Sequence, residues 1–402
     1  MKILSRLKRI YNHIPGKNIK LLYPFIYIYR KLKEIWRPVY IWNGKSKQNG
    51  LSLCVAYIGN SKIYREYYIS IMFKSGVETT CINNRFLFGI IRLLKQKQPD
   101  CSVILWEHSS ITKWYLQKKQ KFVIPFWIRT EIDISQPIKQ LERKRKKYRE
   151  MANLIRKQEY TCESSDKIDD FTDFYYNMYV PYANYRHGET ASVLEYSVVF
   201  DPESKHELFL LKKHSEVLGG VVVKYKNRSA KMSFFGIKKE HLSKTEEGFL
   251  GALYYFIIQS LQIKGYRKMS IGDSHPFIFD GVTRFKLYML AQLEHGVKYR
   301  EDRNTTMLIL NVSKGIADFL KYNPFVYFSR NSELTGAIWI EDKNIENEKE
   351  IQTSFKMMER IGVKYCFVNN LNVKNHILRK EDFKDSAMVV SIYNANEYIV
   401  NT

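Results

Sequence analysis

Three titratable side chains follow one another closely in residues 272–281, GDSHPFIFDG: Asp273, His275 and Asp280. A carboxylate or an imidazole can act as a general base by accepting a proton from a reacting amine or hydroxyl. The same residue types beside Pro or Gly also cap turns through hydrogen bonds to the backbone. Each of the three residues therefore fits two interpretations, a catalytic base or a turn residue.

Basic side chains come directly after this segment, where Arg284 and Lys286 flank Phe285. A cation at a reaction centre can neutralise a phosphate or a developing oxyanion, and an arginine can hold a phosphate through two hydrogen bonds. A second polar group lies upstream, within residues 179–188: Tyr179, Tyr182, Arg186 and His187. Because the chain contains 65 Lys and Arg and 29 Tyr, an ordinary surface or core position is the competing interpretation for each residue.

The sequence lacks the short motifs of covalent, nucleotide-dependent and zinc-dependent catalysis, which are the nucleophile elbow, the Walker loop and HExxH. Five cysteines are scattered along it without a CxxC pair, which argues against a zinc site and a disulfide framework. We therefore expect no metal and a reducing, cytoplasmic environment. No segment reaches the roughly 20 apolar residues that a membrane-spanning helix needs.

The elements that would position these side chains follow from hydrophobic periodicity. Three β-rich runs joined by turn-like residues predict an antiparallel meander: 206–213, 217–225 and 230–237. A strong helix is predicted over 244–265 and a further strand over 267–273. Other apolar runs predict strands in the first part of the chain: 51–59, 101–108 and 121–129.

This order of strands, helix and strand resembles the GNAT-like acyltransferases of the FemABX and polysaccharide-locus type. The residues that carry the resemblance are 179–188, 217–225, 234–273 and 275–286. The resemblance covers residues 130–290 well and residues 50–130 as a degenerate first copy. It implies an α/β (α+β) fold of the GNAT type, pseudo-duplicated into tandem halves, and an acyltransferase activity.

Several site residues are implied by the resemblance. The donor is expected where two central strands splay apart, beside a helix start whose free amides attract phosphate. The implied donor-binding residues are Lys244, Gly248, Gly251 and Arg284. The implied acceptor-binding residues are Tyr179, Tyr182, Arg186 and Asp280. The implied catalytic residues are Asp273, His275, Lys286 and His187, and Lys286 matches the lysine that resembling peptidyltransferases carry at the reaction centre.

The leading hypothesis is transfer of an acyl group, acetyl in the first instance, from acyl-CoA as co-substrate to a sugar or cell-envelope precursor. Residues 244–252, KTEEGFLGA, match the coenzyme A loop of ordinary GNAT enzymes only in part. An aminoacyl-tRNA donor, with transfer to a peptidoglycan precursor or a lipid, is therefore the alternative. A third hypothesis is a non-catalytic basic binding or scaffold protein.

Charge and pattern divide the chain into five predicted parts: a basic arm (1–45), a degenerate GNAT-like half (46–136), a basic linking helix (137–160), a GNAT-like acyltransferase core (161–320) and a C-terminal α/β segment (321–402).

The first 40 residues hold ten Lys and Arg against one acid. They predict either peripheral contact with an anionic membrane at its inner face or solvated helices packed on the body. The linking helix, with nine cations, predicts either a solvated amphipathic helix or a wall for a phosphorylated or nucleic-acid substrate. A net charge of +24 favours polyanionic partners.

Overall fold

The computed structural model describes the chain from residue 35 to residue 394 with gaps, so most of the predicted basic arm lies outside the described residues. The described residues are 35–86, 88–117, 121–188, 191, 193–226, 229–294, 297, 299, 303–329, 331–340, 349–363, 365–369 and 389–394.

Strands and helices alternate along most of the described chain. The strands are β1 (Trp36–Lys45), β2 (Ser52–Ile58), β3 (Glu78–Phe86), β4 (Val103–Glu107), β5 (Phe122–Pro125), β6 (Ile128–Asp133), β7 (Tyr160–Ser165), β8 (His206–Lys213), β9 (Glu216–Lys226), β10 (Ser229–Ile237), β11 (Lys268–Ser274), β12 (Ala291–Leu293), β13 (Asn304–Ile309), β14 (Phe325–Phe328), β15 (Leu334–Ile340), β16 (Tyr365–Asn369) and β17 (Val389–Asn394). The α-helices are α1 (Lys62–Met72), α2 (Ile90–Lys97), α3 (Ser110–Tyr115), α4 (Ile138–Lys144), α5 (Lys146–Gln158), α6 (Ile168–Asp173), α7 (Val180–His187), α8 (Tyr196–Val199), α9 (Phe249–Ile263), α10 (Gly281–Tyr288), α11 (Lys314–Tyr322) and α12 (Lys349–Ile361). A π-helical turn (Phe174–Tyr179) precedes α7, and a 3-10 helix (Lys239–Glu247) precedes α9.

Contacts divide the chain into two compact units. Unit 1 consists of Met1–Phe126, Tyr299–Ser354 and Lys364–Thr402, and unit 2 consists of Trp127–Lys298 and Phe355–Val363. These units differ from the five predicted parts, because strands that are far apart in sequence pair within one sheet. The end of the predicted arm is β1 of unit 1, the predicted first half contributes β6 to unit 2, and the predicted core contributes β13 to unit 1.

Unit 2 is built on a seven-stranded mixed sheet in the order β12-β6-β11-β10-β9-β8-β7. Strands β7 to β10 form an antiparallel meander, and β11 runs parallel to β10. Helix α9 connects these two strands, and its residues Phe249, Leu253 and Ile257 are buried in the core at a four-residue spacing. The α/β class and the GNAT-like order of meander, helix and strand are therefore confirmed.

Unit 1 contains a ten-stranded mixed sheet in the order β17-β16-β15-β14-β5-β13-β4-β2-β1-β3. Strands β1 and β2 are antiparallel, and β2 runs parallel to β4. Its core includes Ile58, Ile104 and Trp106, with helix α2 packed against them through Ile91 and Leu94. The single strand predicted over 121–129 is two strands, β5 and β6, which belong to different units.

The two sheets share one arrangement of strands. In unit 1, β13 lies between β4 and β5 and is antiparallel to both. In unit 2, β6 lies between β11 and β12 and is antiparallel to both. On its other edge, β4 pairs with β2 in unit 1 and β11 pairs with β10 in unit 2, and both of these pairs are parallel. The predicted tandem halves thus recur in the topology, and each sheet is completed by a strand from the other part of the sequence.

The predicted linking helix over 137–160 is a pair of helices, α4 and α5, within unit 2. Arg145 separates them because its backbone is extended, with φ −128° and ψ 117°. Leu141 on α4 and Tyr148 and Met151 on α5 are buried in the core of unit 2. Both helices contact α9.

Candidate functional site

The junction between β10 and β11 opens after a short stretch of parallel pairing. Two residue pairs are in register there, and the second is Lys231 with Ser270. Beyond it, β11 bulges before Asp273, and Gly272 takes a φ of +74°, a left-handed backbone that favours glycine. Because β10 and β11 are parallel, their C-terminal ends and the start of α9 lie at the same end of the sheet. The strands therefore splay where the resemblance implies a donor.

Lys286 places its amino group at this opening. Its Nζ donates hydrogen bonds to the carbonyl oxygens of Gly272 at 3.0 Å and Asp273 at 2.8 Å. The residue is only 5% exposed, so the competing interpretation as a surface lysine is wrong. Burial lowers the pKa of Lys286 to about 8, and the nearby charge of Lys231 acts in the same direction, while Asp273 and Asp280 oppose it.

The carboxylate of Asp273 stands beside Lys286 but points into a separate ion pair. Arg129 on β6 contacts it at 3.3 Å, from Nε to Oδ1, and the Asp273 side chain is 44% exposed. The same arginine lies 3.9 Å from Glu294, which accepts a hydrogen bond from the hydroxyl of Ser270 at 3.0 Å. Asp273 is therefore an accessible, oriented carboxylate at the end of β11.

The ring of His275 stacks on Trp127, with centroids 4.2 Å apart and an interplanar angle of 23°. Its carbonyl oxygen accepts a hydrogen bond from the hydroxyl of Thr283 at 2.6 Å, which ties β11 to α10. Two sets of contacts therefore fix His275 next to Asp273 and Lys286. The structure brings these three predicted catalytic residues together.

Asp280 and Arg284 have local partners on α10. Asp280 is the N-cap, and its Oδ1 accepts hydrogen bonds from the backbone amides of Val282 at 3.0 Å and Thr283 at 3.3 Å. Arg284 is exposed and lies against the Tyr288 ring, one helical turn away, at 5.7 Å from the centroid. The turn interpretation of Asp280 is confirmed, and acceptor binding by Asp280 and donor binding by Arg284 stay predictions.

The other three predicted acceptor residues, Tyr179, Tyr182 and Arg186, lie on the helical segment that crosses the end of β10. Gly236 makes this possible, because a Cβ there would lie 2.6 Å from the backbone nitrogen of Tyr179. The Tyr179 hydroxyl accepts a hydrogen bond from the amide of Leu194 at 3.3 Å. The Tyr182 ring contacts Phe235 at 4.8 Å, and burial raises the pKa of Tyr182. Arg186 is exposed, and the side chain of His187 lies outside the described residues.

Two of the predicted donor-binding residues, Gly248 and Gly251, lie at the start of α9. Gly248 is the N-cap with a φ of +78°, and no side chain caps the helix. A Cβ on Gly248 would lie 2.4 Å from Leu154, and one on Gly251 would lie 3.4 Å from Met151. The close approach of α5 and the positive φ explain why residue 248 is a glycine, whereas a Cβ on Gly251 would make an ordinary contact. Donor binding by Gly248 and Gly251 stays a prediction. The side chain of Lys244 lies outside the described residues.

Some residues at the opening were not predicted from the sequence. Trp127 directly precedes β6 and Arg129 lies within it. The sequence places both far from the predicted core, and no local signal connects them to β11. Ser274 is 1% exposed, and its hydroxyl has no hydrogen-bond partner among the described residues. The signal that could have found it is its position between Asp273 and His275.

The corresponding place in unit 1 is closed by a side chain. Strands β2 and β4 stay paired over four positions, and Glu107 ends β4. Its Oε1 accepts hydrogen bonds from the Tyr57 hydroxyl and the Ser61 amide, each at 2.5 Å, while Oε2 accepts one from Arg37 at 2.9 Å. A Cβ on Gly59 would lie 2.2 Å from this carboxylate. An acid therefore fills the helix start in unit 1.

In the part of the chain that the structure describes, no group of three or more His, Cys, Asp or Glu is arranged to hold a metal ion. Over the same ranges, no helix is both long enough and apolar enough to cross a bilayer.

Comparisons with known proteins find only solved structures of low similarity. No protein-family model matches the sequence, and no curated protein does. The crystal structure of FemX is 11% identical, covers 69% of this chain and 89% of its own, and has a TM-score of 0.34. L-PGS from Bacillus licheniformis is 11% identical over 69% of this chain and 83% of its own, with a TM-score of 0.29. A GCN5-related N-acetyltransferase from Sphaerobacter thermophilus is 9% identical over 63% and 71%, with a TM-score of 0.31. Similarities this low assign no activity.

Proposed function

We propose that unit 2 transfers an acyl group from an activated donor, a coenzyme A thioester in the first instance, to an amine or hydroxyl. The observation that carries this proposal is the buried amino group of Lys286 at the opening between β10 and β11. A buried cation without an acidic partner at hydrogen-bond distance lowers folding stability, and buried groups with displaced pKa values concentrate at functional sites. Stabilising an oxyanion is a use that fits this position.

In the proposed reaction, the acceptor atom attacks the carbonyl carbon of the thioester, and the carbonyl oxygen becomes an oxyanion. The Lys286 ammonium donates a hydrogen bond to this oxyanion. Two of its three N–H groups are bound by carbonyl oxygens, and within the described chain the third has no partner. The carbon–sulfur bond then breaks, and the sulfur leaves as a thiol after taking up one proton, which balances the proton that the acceptor gives to the base.

The acceptor must also lose a proton, and His275 is the proposed base. An imidazole is suited to proton transfer near neutral pH, and the stacking on Trp127 orients this ring. Asp273, already paired with Arg129, is the second candidate. Asp280 suits this task less because its carboxylate caps α10.

A sugar or cell-envelope precursor is the proposed acceptor class. The helical segment over β10 presents Tyr182 and the exposed Arg186 beside the opening strand. Aromatic faces bind sugar rings, and a guanidinium binds the phosphate of a nucleotide-linked sugar. Glu107 supports the prediction that residues 46–136 are the degenerate half, since its carboxylate accepts a hydrogen bond from the Ser61 amide at a helix start, where our proposal puts the donor phosphate in a working half.

The test uses the purified full chain with radiolabelled acetyl-CoA and a panel of nucleotide-linked amino sugars. We expect acetylated product, and a fall in kcat of about 100- to 1,000-fold in Lys286→Met, the usual loss when an oxyanion donor is removed. The exposed Lys239→Met is the matched control and should keep full activity. Full transferase activity in Lys286→Met contradicts the proposed role. Loss of transferase activity in this variant with full retention of the protein's cellular function favours the non-catalytic hypothesis.

A second candidate keeps the site and changes the donor to aminoacyl-tRNA. The observation that favours it is the row of exposed cations on α4 and α5, which includes Arg143, Lys144 and Arg149. Phosphate contacts release counterions, so tRNA affinity should fall steeply with salt. Glutamine at these three positions should lower the affinity for tRNA. It should also make the logarithm of the affinity fall less steeply with the logarithm of the salt concentration. A salt-independent gel shift contradicts this donor.

A further inference from the structure

An exposed row of aromatic side chains lies in unit 1. It is formed by residues at the start of β1, at and just after the end of β3, and on α3. The exposed fractions are 51% for Trp36, 45% for Phe86, 37% for Phe88 and 67% for Trp114. Their rings touch in succession, with centroid distances of 5.5, 5.1 and 6.0 Å. They therefore form one continuous apolar surface, called here the aromatic patch. Isolated exposed apolar residues are common, but a contiguous group of large ones marks an interaction surface.

Two exposed cations adjoin residues of the aromatic patch in the sequence. Arg85 and Lys113 directly precede Phe86 and Trp114, and both are exposed. Residues 80–121 hold eight Lys and Arg against two acids. One of these acids, Glu107, is bound to Arg37 and so does not offset the surrounding charge. The partner must therefore combine an apolar interior with negative charge at its surface.

We propose that the aromatic patch docks unit 1 on an anionic lipid surface. Tryptophan is enriched at the level of the lipid headgroups, because its ring is apolar with one polar edge. Phenylalanine favours the acyl boundary just below, and each nearby Lys or Arg strengthens attraction to anionic headgroups. This proposal is independent of acyl transfer, since none of its residues belongs to the opening in unit 2.

The ring geometry argues against a nucleic acid as the partner. Nucleic-acid bases stack on open, flat aromatic faces. Successive rings in the patch instead meet at 54°, 58° and 83°, so each covers part of its neighbour's face. A second copy of the chain is disfavoured by charge, because a two-fold contact of patch on patch would bring the exposed Arg85 and Lys113 of both copies close together.

Vesicle co-sedimentation of the full chain tests the proposal. The vesicles are phosphatidylcholine alone or phosphatidylcholine with phosphatidylglycerol. The patch variants are Trp114→Ala and the double variant with Phe88→Ala. The matched control is Ile263→Ala, which truncates an apolar side chain that is 82% exposed in unit 2. We expect binding to anionic vesicles that weakens about tenfold in the double variant, equivalent to about 1.4 kcal/mol, and stays unchanged in Ile263→Ala.

A second readout separates the patch from the basic N-terminal residues, which can bind anionic vesicles by charge alone. Brominated lipids quench tryptophan fluorescence at close range, so Trp114 at the membrane should be quenched. Trp114→Phe keeps the aromatic surface and removes this reporter, so quenching should fall while binding stays. Unchanged binding in the double variant, or wild-type quenching equal to that of Trp114→Phe, overturns the proposal. So does a patch-dependent dimer or patch-dependent tRNA binding without vesicle binding.

Discussion

Replacing Lys286 by methionine should change how the stability of unit 2 depends on pH. A pKa of about 8 against an ordinary value of 10.5 means that carrying this charge in the folded state at neutral pH costs about 3 kcal/mol. Between these two values the folded chain has released the proton and the unfolded chain still holds it. Unfolding then takes up a proton, so the free energy of unfolding rises by about 1.4 kcal/mol per pH unit.

Methionine has no proton to release, so this rise should be missing from the variant. Between about pH 7 and about pH 9.5, the wild type should gain about 2 kcal/mol relative to Lys286→Met. The carbonyl oxygens of Gly272 and Asp273 lose their donor in the variant. That loss is present at every pH and shifts the difference by a constant, so the slope isolates the charge.

The assay is urea unfolding followed by hydrogen-exchange mass spectrometry, with the labelling pulse at one fixed pH. Peptides from α9 report unit 2 separately from unit 1. Lys239→Met removes an exposed charge and should keep the wild-type slope. Parallel profiles for the wild type and Lys286→Met would refute the reasoning, because they would show that Lys286 carries its charge without cost.

Three further substitutions test the packing around the two helix starts and α10. Glu107→Ala should lower the free energy of unfolding by about 3–5 kcal/mol because Arg37 is left without its partner. Glu107→Gln should lower it less, and equal thermal midpoints for the two variants would count against the ion pair. Gly248→Ala should cost more than Gly265→Ala, which has a similar positive φ but nothing within 4 Å, and adding Leu154→Ala should remove the excess in urea unfolding. Asp280→Ala should cost about 1 kcal/mol by loss of the N-cap, whereas Asp280→Asn should cost little, as measured by thermal unfolding.

Local elements were largely predictable from the sequence. The runs 206–213, 217–225 and 230–237 match β8, β9 and β10 to within one residue at each end. This succeeds because alternation and turn residues are local signals. The predicted helix over 244–265 begins too early, since Lys239–Glu247 is a 3-10 helix and α9 starts after Gly248. Polar residues such as Thr245 and Glu246 satisfy either helix, so their types do not locate the boundary.

The order of strands in the sheets was not predictable from the sequence, and some site residues were missed for the same reason. Pairing of β6 with β11 joins residues more than 130 positions apart, and no periodicity reports it. Arg129 and Trp127 were missed because they reach the site through this pairing. Lys286 was predicted by resemblance, whereas its burial was not, because RFK reads as an ordinary surface sequence. Burial depends on how α10 packs against β11, and only the fold supplies that.

The two units differ in how they neutralise the charge at the end of their parallel strand pair. Each has a parallel strand pair followed by polar residues, and in unit 1 the acid Glu107 takes the free amide of Ser61 and the charge of Arg37. In unit 2 the left-handed Gly272 turns carbonyl oxygens toward a cation, and no acid closes the ion pair with Lys286 at hydrogen-bond distance among the described residues. A cation held only by carbonyl dipoles keeps its attraction for an incoming negative charge, whereas a neutralised ion pair does not. The half that keeps an unneutralised charge is therefore the half in which chemistry should be sought.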